Sequence, residues 1–176
     1  TDSWSGRVIV DWSPTDSIML YASYSRGYRS GTFNGLAYGS ANQVYFVDPE
    51  EVDAYETGLK SRFLEDRLQI NSSLFYYEYQ GQQGQVVDNT ATANLISLDG
   101  TITGLEIETQ FLVTERLTLS AAAGWLDTEY DDKNCPDTPI TGFPAQDGNC
   151  VVSSGGQVSV GGNPFPYAAE STYNLG

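Results

Sequence analysis

The side chains best placed for chemistry are two carboxylates, Glu106 and Glu108, in a stretch of alternating apolar and polar residues. In an extended chain, residues two apart project from the same face, within the range of a glycosidase acid pair. Glu56, Lys60 and Arg62 share one face of an earlier alternating stretch. On adjacent strands these five charges would instead form a cross-strand ladder of ion pairs. Because the sequence supplies no dedicated substrate cleft, we favour the ladder and expect no catalytic residue.

The composition argues against metal, cofactor and nucleic-acid chemistry. The chain has no histidine, so the usual general base and zinc ligand are missing. Four acids could face a cation, but their spacing lacks a complete calcium-loop pattern: Asp127, Glu129, Asp131 and Asp132. The formal net charge of −15 disfavours a phosphate backbone as partner, since that contact needs a basic footprint. We therefore expect a solvated acidic surface, with no metal and no cofactor.

The charged residues belong to strands, and the clearest pair is the hairpin between Asp53 and Gln80. Apolar and polar residues alternate there with period two on both sides of the polar turn Leu64–Arg67. Similar alternation elsewhere predicts further strands. The predicted strands cover about 7–12, 17–29, 53–63, 68–80, 102–111, 117–130 and 167–176.

Short and long connections alternate along the chain. The long ones, predicted as external loops, cover 30–52, 81–101 and 131–166, and the second leaves room for short strand extensions around 85–87 and 93–97. Short turns at one end and long loops at the other are typical of outer-membrane barrels. No window has the roughly 18 consecutive apolar residues of a membrane helix. The predicted fold class is all-β, an antiparallel up-and-down meander of about seven strands, forming an open segment of a larger transmembrane β-barrel.

The alternation also assigns two faces. We expect leucines to point to lipid, and Glu56, Lys60, Glu106 and Glu108 to point to the lumen, because lipid offers a charge neither water nor partners. The leucines are Leu20, Leu59, Leu74, Leu105 and Leu119. A Leu119→Arg change, taken to lie at mid-membrane, should cost roughly 2–4 kcal/mol.

Aromatic residues cluster toward the ends of the predicted strands. At the loop ends these are Tyr24, Tyr28, Tyr76, Tyr79, Trp125 and Tyr130, and Trp12 lies near the opposite end. They predict an aromatic girdle at the membrane interface, and the alternative is a platform for stacking sugars. Cys135 and Cys150 lie in one long loop. A disulfide between them fits an oxidising compartment and would be worth roughly 3 kcal/mol.

Four stretches together resemble the transmembrane barrel of TonB-dependent outer-membrane receptors. They are Leu20–Gly31, Pro49–Tyr79, Thr103–Glu108 and Pro164–Gly176. Each motif is degenerate, but their order and spacing make the resemblance fairly specific. The family has a barrel of 22 strands around an N-terminal plug, consistent with the plugged lumen of such transporters. The sequence shows no plug, no TonB box and no closing strand, so the resemblance implies a piece from the later part of the barrel.

The resemblance implies a function and a set of partners. The chain would be part of a receptor for energy-coupled uptake of a scarce nutrient, such as a ferric siderophore, vitamin or oligosaccharide, in the outer membrane of a Gram-negative bacterium. Its partners would be outer-membrane lipid and lipopolysaccharide, the rest of its barrel and plug, the TonB complex acting through the plug, and an unidentified small-molecule ligand. The alternative from another class is a secreted all-β carbohydrate-binding module.

Overall fold

A computed structural model of the chain describes residues 3–35, 44–87, 93–132, 150–153 and 156–176. Within these ranges the chain forms eleven strands: β1 Gly6–Thr15, β2 Ile18–Arg29, β3 Thr32–Phe33, β4 Phe46–Val47, β5 Glu50–Phe63, β6 Leu68–Val87, β7 Ala93–Thr114, β8 Leu117–Tyr130, β9 Cys150–Ser153, β10 Gly156–Ser159 and β11 Ser171–Leu175. A helix with the length and hydropathy needed to cross a membrane is absent from the described residues.

Seven strands form one open antiparallel sheet in the order β1-β2-β5-β6-β7-β8-β11. Each strand of this sheet pairs with the next one along the chain, which confirms the predicted all-β meander. The three short turns therefore lie at one end of the sheet, and we call this the turn end. The longer connections lie at the other, the loop end. Two further pairs, β3 with β4 and β9 with β10, lie within those longer connections.

The predicted loop 81–101 is mostly a hairpin, longer than the short strand extensions expected within it around 85–87 and 93–97. Strands β6 and β7 stay paired up to Val87 and Ala93, beyond a bulge between Tyr79 and Gln82. Gly81 has a φ of 69° at this bulge, a conformation that glycine adopts without penalty. The hairpin is rich in Gln, Asn and Gly, so it lacks the contrast between faces on which alternation depends.

The other long connections and the last strand also differ from their predicted bounds. Strand β5 begins at Glu50, so the first connection is shorter than the predicted loop 30–52. The predicted strand 167–176 is reduced to Ser171–Leu175. A turn at Pro166 and Tyr167 precedes it, with Tyr167 at a φ of 63°. Proline removes a backbone donor, which explains why regular pairing starts only after this turn.

Two arginines fasten the three short turns to one another. Arg67 donates from Nε to the carbonyl of Leu112 at 3.1 Å and from Nη2 to that of Val113 at 2.6 Å. Arg62 donates from Nη2 to the carbonyl of Asp16 at 3.3 Å. The central turn is thus tied to both neighbouring turns. Its three residues Leu64–Asp66 all have positive φ, between 54° and 64°, a conformation that costs roughly 1–2 kcal/mol per residue.

Replacing Arg67 by alanine will lower the free energy of unfolding by about 1–2 kcal/mol, because two carbonyls lose a charged donor. The measurement is the urea midpoint of the full-length receptor in detergent. Arg116→Ala is the matched control: it removes the same charge from the neighbouring turn, where no side-chain bond of Arg116 is seen among the described residues. Equal losses in the two variants would contradict the role given to Arg67.

The core lies at the loop end of the sheet. Its buried residues are Ile96, Leu98, Tyr130 and Phe165. Phe165 comes from the segment 160–168, which runs beside β8 and bonds to it through Gly162 and Asn163. On another side of the β6–β7 hairpin, Tyr45 donates a 2.5 Å hydrogen bond to the carbonyl of Leu95, and burial raises the pKa of the Tyr45 phenol. The connections at this end therefore pack against one shared hairpin.

Candidate functional site

The strand register places all five predicted leucines on one side of the sheet, here called the leucine face. Leu20 lies opposite Leu59, Leu74 opposite Leu105, and Leu119 opposite Phe111. Leu74 and Leu119 are half exposed, at 52% and 50%. A protein in water seldom leaves such a broad apolar surface uncovered, so this face is suited to lipid or to a large partner.

A row of tyrosines crosses the leucine face toward the loop end. Tyr24 pairs with Tyr55 and Tyr55 with Tyr76, and their ring centroids lie 5.1 and 6.4 Å apart. Tyr55 was not among the predicted interface aromatics, although its position opposite Tyr24 follows from the register. The other predicted aromatics on the leucine face are Trp12, Tyr28 and Trp125.

Two predicted girdle residues lie on the opposite face. Tyr79 and Tyr130 both pair with Gly100, whose position in β7 alternates with those of the leucine face. Their rings pack on Phe165, at centroid distances of 6.3 and 4.4 Å. Their assignment to the girdle was wrong. Both residues lie near the loop end of their strands, as predicted, but side chains alternate between faces along a strand, and these two point away from the leucine face.

Just beyond the tyrosine row, the leucine face becomes charged. Tyr24 donates a 2.6 Å hydrogen bond to Asp53, and Arg26 forms ion pairs with Asp53 and Glu51. The Trp4 ring lies 5.2 Å from the Arg26 guanidinium carbon. A buried ion pair in hydrocarbon would be costly, so this group marks a boundary of any lipid-facing band. Sequence patterns do not reveal this group, because its members are separated along the chain and meet only through the β2–β5 register.

The apolar band has a measurable span. It runs from the tyrosine row to a row formed by Phe63, Leu68, Phe111 and Leu119 near the turn end. These rows are eight residues apart along β5, so the band covers nine residues of the strand, close to the roughly 9–11 residues of a tilted strand that crosses a bilayer. Leu59 lies midway, whereas Leu119 lies at the edge. Leu59 therefore replaces Leu119 as the leucine that we expect at mid-membrane.

The five predicted charges, Glu56, Lys60, Arg62, Glu106 and Glu108, alternate with the leucine face and share the other side, here called the charged face. They do not form the predicted ladder among the described residues. Asn71 separates Lys60 from Glu108, which leaves the Cα atoms of the two residues about 9–10 Å apart, two strand spacings. Arg62 instead forms an exposed ion pair with Asp66 at 3.4 Å. Register, which single-strand patterns do not specify, explains the difference.

Aromatic rings on the charged face lie directly over glycines of the adjacent strand. A Cβ added to Gly58 would stand 2.4 Å from the Tyr21 ring, and one added to Gly104 would stand 2.2 Å from the Phe75 ring. Tyr21 donates a 2.5 Å hydrogen bond to Glu56. Phe75 stacks on Tyr77 with centroids 5.0 Å apart. The charged face is thus a layer of rings and carboxylates held close to the backbone.

The loop-end acids do not form a cation site within the described residues, where no group of three or more potential ligands suited to a metal is found. Asp127 and Glu129 lie in β8 opposite Thr103 and Thr101. Asp132 accepts a 2.8 Å hydrogen bond from Ser159. The Cys135–Cys150 disulfide stays a prediction, because Cys135 and the side chain of Cys150 lie outside what the structure describes.

The fold and the two unlike faces define a class: an open segment of a transmembrane β-barrel. Comparisons specify it further. The family model described as the β-barrel of TonB-dependent receptor-like proteins matches residues 1–176. The chain is 27% identical over 147 residues to a probable TonB-dependent siderophore receptor, PiuA, of Acinetobacter baumannii, covering 80% of this chain and 19% of that protein.

A solved structure supports the same fold. The ferric-catecholate import receptor Fiu of E. coli K12 superposes with a TM-score of 0.58 at 17% identity, covering 97% of this chain and 21% of that one. The chain spans about a fifth of the length of both proteins.

The chain belongs to the TonB-dependent receptor family, as its resemblance predicted. Members of this family are outer-membrane proteins of Gram-negative bacteria, and they are transporters, which are not enzymes. Membership confirms the predicted location and replaces the alternative of a secreted carbohydrate-binding module. Barrels of this family contain a plug, so the seven-stranded sheet belongs to the wall of a plugged barrel.

Proposed function

We propose that this chain forms part of the barrel wall of a receptor that imports a ferric siderophore using energy delivered by the TonB complex. The leucine face would contact lipid, and the charged face would line the lumen around the plug. The family match, together with the siderophore-receptor relative, supports this assignment. The single structural observation that supports it best is the exposed leucine band, whose nine residues along β5 match a tilted membrane strand and which ends at a row of tyrosines toward the loop end.

The two boundaries of the band suggest how the wall sits in the membrane. The tyrosine row and the Arg26–Glu51–Asp53 group would lie at the outer leaflet, among lipopolysaccharide headgroups. The short turns would lie near the periplasm, whereas Trp12, in the register row of Leu20 and Leu59, would lie within the band. The packed connections at the loop end would then surround the outer mouth, where a ligand arrives. A ferric catecholate is the first ligand to test, because the receptor with the similar fold imports that class.

Iron uptake tests the proposal. The full-length receptor is expressed in cells that lack their own siderophore receptors, and uptake of radioactive iron is followed with ferric catecholate and with ferric hydroxamate as probes. We expect TonB-dependent uptake of the catecholate complex, since import by this family draws its energy through TonB. Cells without TonB are the matched control. Failure of both iron complexes to enter, with receptor present in the outer membrane, would refute siderophore import.

A further inference from the structure

Each boundary of the leucine face has one arginine beside an aromatic ring. At the loop end, the guanidinium carbon of Arg26 lies 5.2 Å from the centroid of the Trp4 ring. At the turn end, the guanidinium carbon of Arg67 lies 6.0 Å from the centroid of the Phe111 ring. Phe111 belongs to the apolar row at which the band ends. Both guanidinium groups therefore lie where apolar surface gives way to polar surface on the same side of the sheet.

The two arginines differ in what balances their charge. Arg26 forms ion pairs with Glu51 and Asp53, so two carboxylates of the wall face one guanidinium there. Arg67 forms no ion pair with the residues that the structure describes. A cation at the edge of hydrocarbon attracts an anion more strongly than a cation in bulk water does, because the medium is less polar. Arg67 is therefore a positive charge at the membrane boundary that the wall itself does not balance.

The carboxylates nearest to Arg67 in sequence do not take this role. Asp66 pairs with Arg62 at 3.4 Å. Glu65 and Glu115 lie in the two turns that Arg67 joins, and both are exposed and form no ion pair among the described residues. The anion that balances Arg67 must then come from outside this part of the chain.

The guanidinium of Arg67 is held in one orientation with donors to spare. Its Nε donates to the carbonyl of Leu112 at 3.1 Å, and its Nη2 donates to that of Val113 at 2.6 Å. These bonds use only part of the five N–H donors of a guanidinium, and no bond from Nη1 is seen among the described residues. The side chain is exposed, so the remaining donors are accessible. A fixed planar fork of this kind matches the oxygens of a phosphate group.

We propose that Arg67 binds the phosphate group of a glycerophospholipid in the leaflet next to the turn end. The inference rests on the proposed function, in which the leucine face contacts lipid. The position of Arg67 favours a lipid over a free phosphate ion, because the Phe111 ring beside it continues the apolar band that acyl chains would cover. The Arg26 group at the other boundary has an excess of carboxylates and should repel phosphate. The wall would therefore bind lipid phosphate at one end only.

Photolabelling of the full-length receptor tests the site. The receptor is placed in liposomes of digalactosyl diacylglycerol, which has no phosphate, with a small fraction of phosphatidylglycerol that carries a photoreactive group in its headgroup. Mass spectrometry then locates the label. We expect it at Arg67 and in the turn after Leu112, and roughly tenfold less around Arg26, although both ends meet the same headgroups. Equal labelling at the two ends, or none near Arg67, would overturn the proposal.

Two variants separate a site from a general attraction between the turn end and anionic lipid. Arg67→Gln removes the charge but keeps a side chain that can donate to a carbonyl, and it should lower labelling of this turn roughly tenfold. Arg116→Gln removes the same charge from the neighbouring turn, where no side-chain bond of Arg116 is seen among the described residues, and should leave labelling unchanged. Equal losses in the two variants would contradict the site. If Arg67→Gln fails to insert, the comparison of the two ends in the parent still decides.

Two further arms identify the source of the phosphate and the link to the proposed function. Excess inorganic phosphate should not compete, and loss of the label in its presence would assign the site to the free ion and overturn the lipid proposal. The same lipid with its photoreactive group in the acyl chain should label the leucine face around Leu59. Tail labelling there without headgroup labelling at Arg67 would overturn the phosphate site alone, whereas a leucine face without tail label would overturn both. A receptor labelled at Arg67 that imports no siderophore would refute only the import.

Discussion

Replacing Leu59 by arginine will lower the free energy of unfolding of the receptor in a lipid bilayer by about 2–4 kcal/mol. Leu59 lies in the middle of β5, between Leu20 and Ser72 in the strand register. It is equally distant from the tyrosine row and from the apolar row at the turn end. An arginine there has the greatest length of hydrocarbon to cross before its charge reaches water. Denaturant unfolding in liposomes of the inserted receptor measures the change.

Two control variants separate depth from the mere addition of a charge. Leu119→Arg places the same group at the turn-end edge of the leucine face, where the cost should fall to about 0–1 kcal/mol. Glu108→Gln changes a charge on the other face and should have little effect. If Leu59→Arg and Leu119→Arg cost the same, the leucine face does not span lipid. If Glu108→Gln costs more than either, the two faces have been assigned the wrong way round.

Alternation alone was enough to predict the faces of the central strands. Successive side chains of a strand point to opposite faces, so Leu59 and Lys60 must lie on different faces of the sheet. This holds regardless of which strands are their neighbours. The short turn at Leu64–Arg67 then fixed β5 against β6. Seven strands in chain order followed from the same two observations, and the structure shows that order.

What the sequence did not reveal depends on register and on distant segments. The ion pair of Arg26 with Asp53, and the separation of Lys60 from Glu108 by Asn71, need the offset between neighbouring strands. Single-strand patterns contain no information on that offset. The arginine bonds between turns are invisible for the same reason, because Arg67 contacts carbonyls about 45 residues away in the chain.

The loop end was hardest to predict because its stabilising contacts join strands to irregular segments that are distant in sequence. The β6–β7 hairpin is polar along much of its length, and the residues that cover it come from segments such as 160–168, far along the sequence. Proximity to Pro164 and Pro166 made Phe165 appear to be part of an ordinary loop. Its burial depends on the small residue Gly100, whose role shows only when the two segments are seen in contact.

Replacing Phe165 by alanine will loosen this region by about 3 kcal/mol, the usual cost of removing a buried aromatic ring. Phe165 is 9% exposed, and its ring stacks on Tyr130 at 4.4 Å. Its backbone N–H donates to Thr128 at 2.9 Å, which holds the segment against β8. Amides of segment 160–168 and of the end of β8 should exchange hydrogen roughly a hundredfold faster, whereas those of β2 and β5 should not change.

Tyr167→Ala is the matched control, since it removes an aromatic ring two residues away that is fully exposed in this chain. It should leave exchange within a few-fold of the parent. Gly100→Ala tests the contact from the other side, because its new methyl carbon would stand 2.7 Å from both the Glu129 carbonyl oxygen and the Phe165 ring. The Phe165 ring can move out of its site, whereas the Glu129 carbonyl belongs to the backbone of β8, so the substitution should both displace the ring and strain the β7–β8 pairing. Unchanged exchange in both Phe165→Ala and Gly100→Ala would mean that segment 160–168 is held in place by its hydrogen bonds to β8 alone.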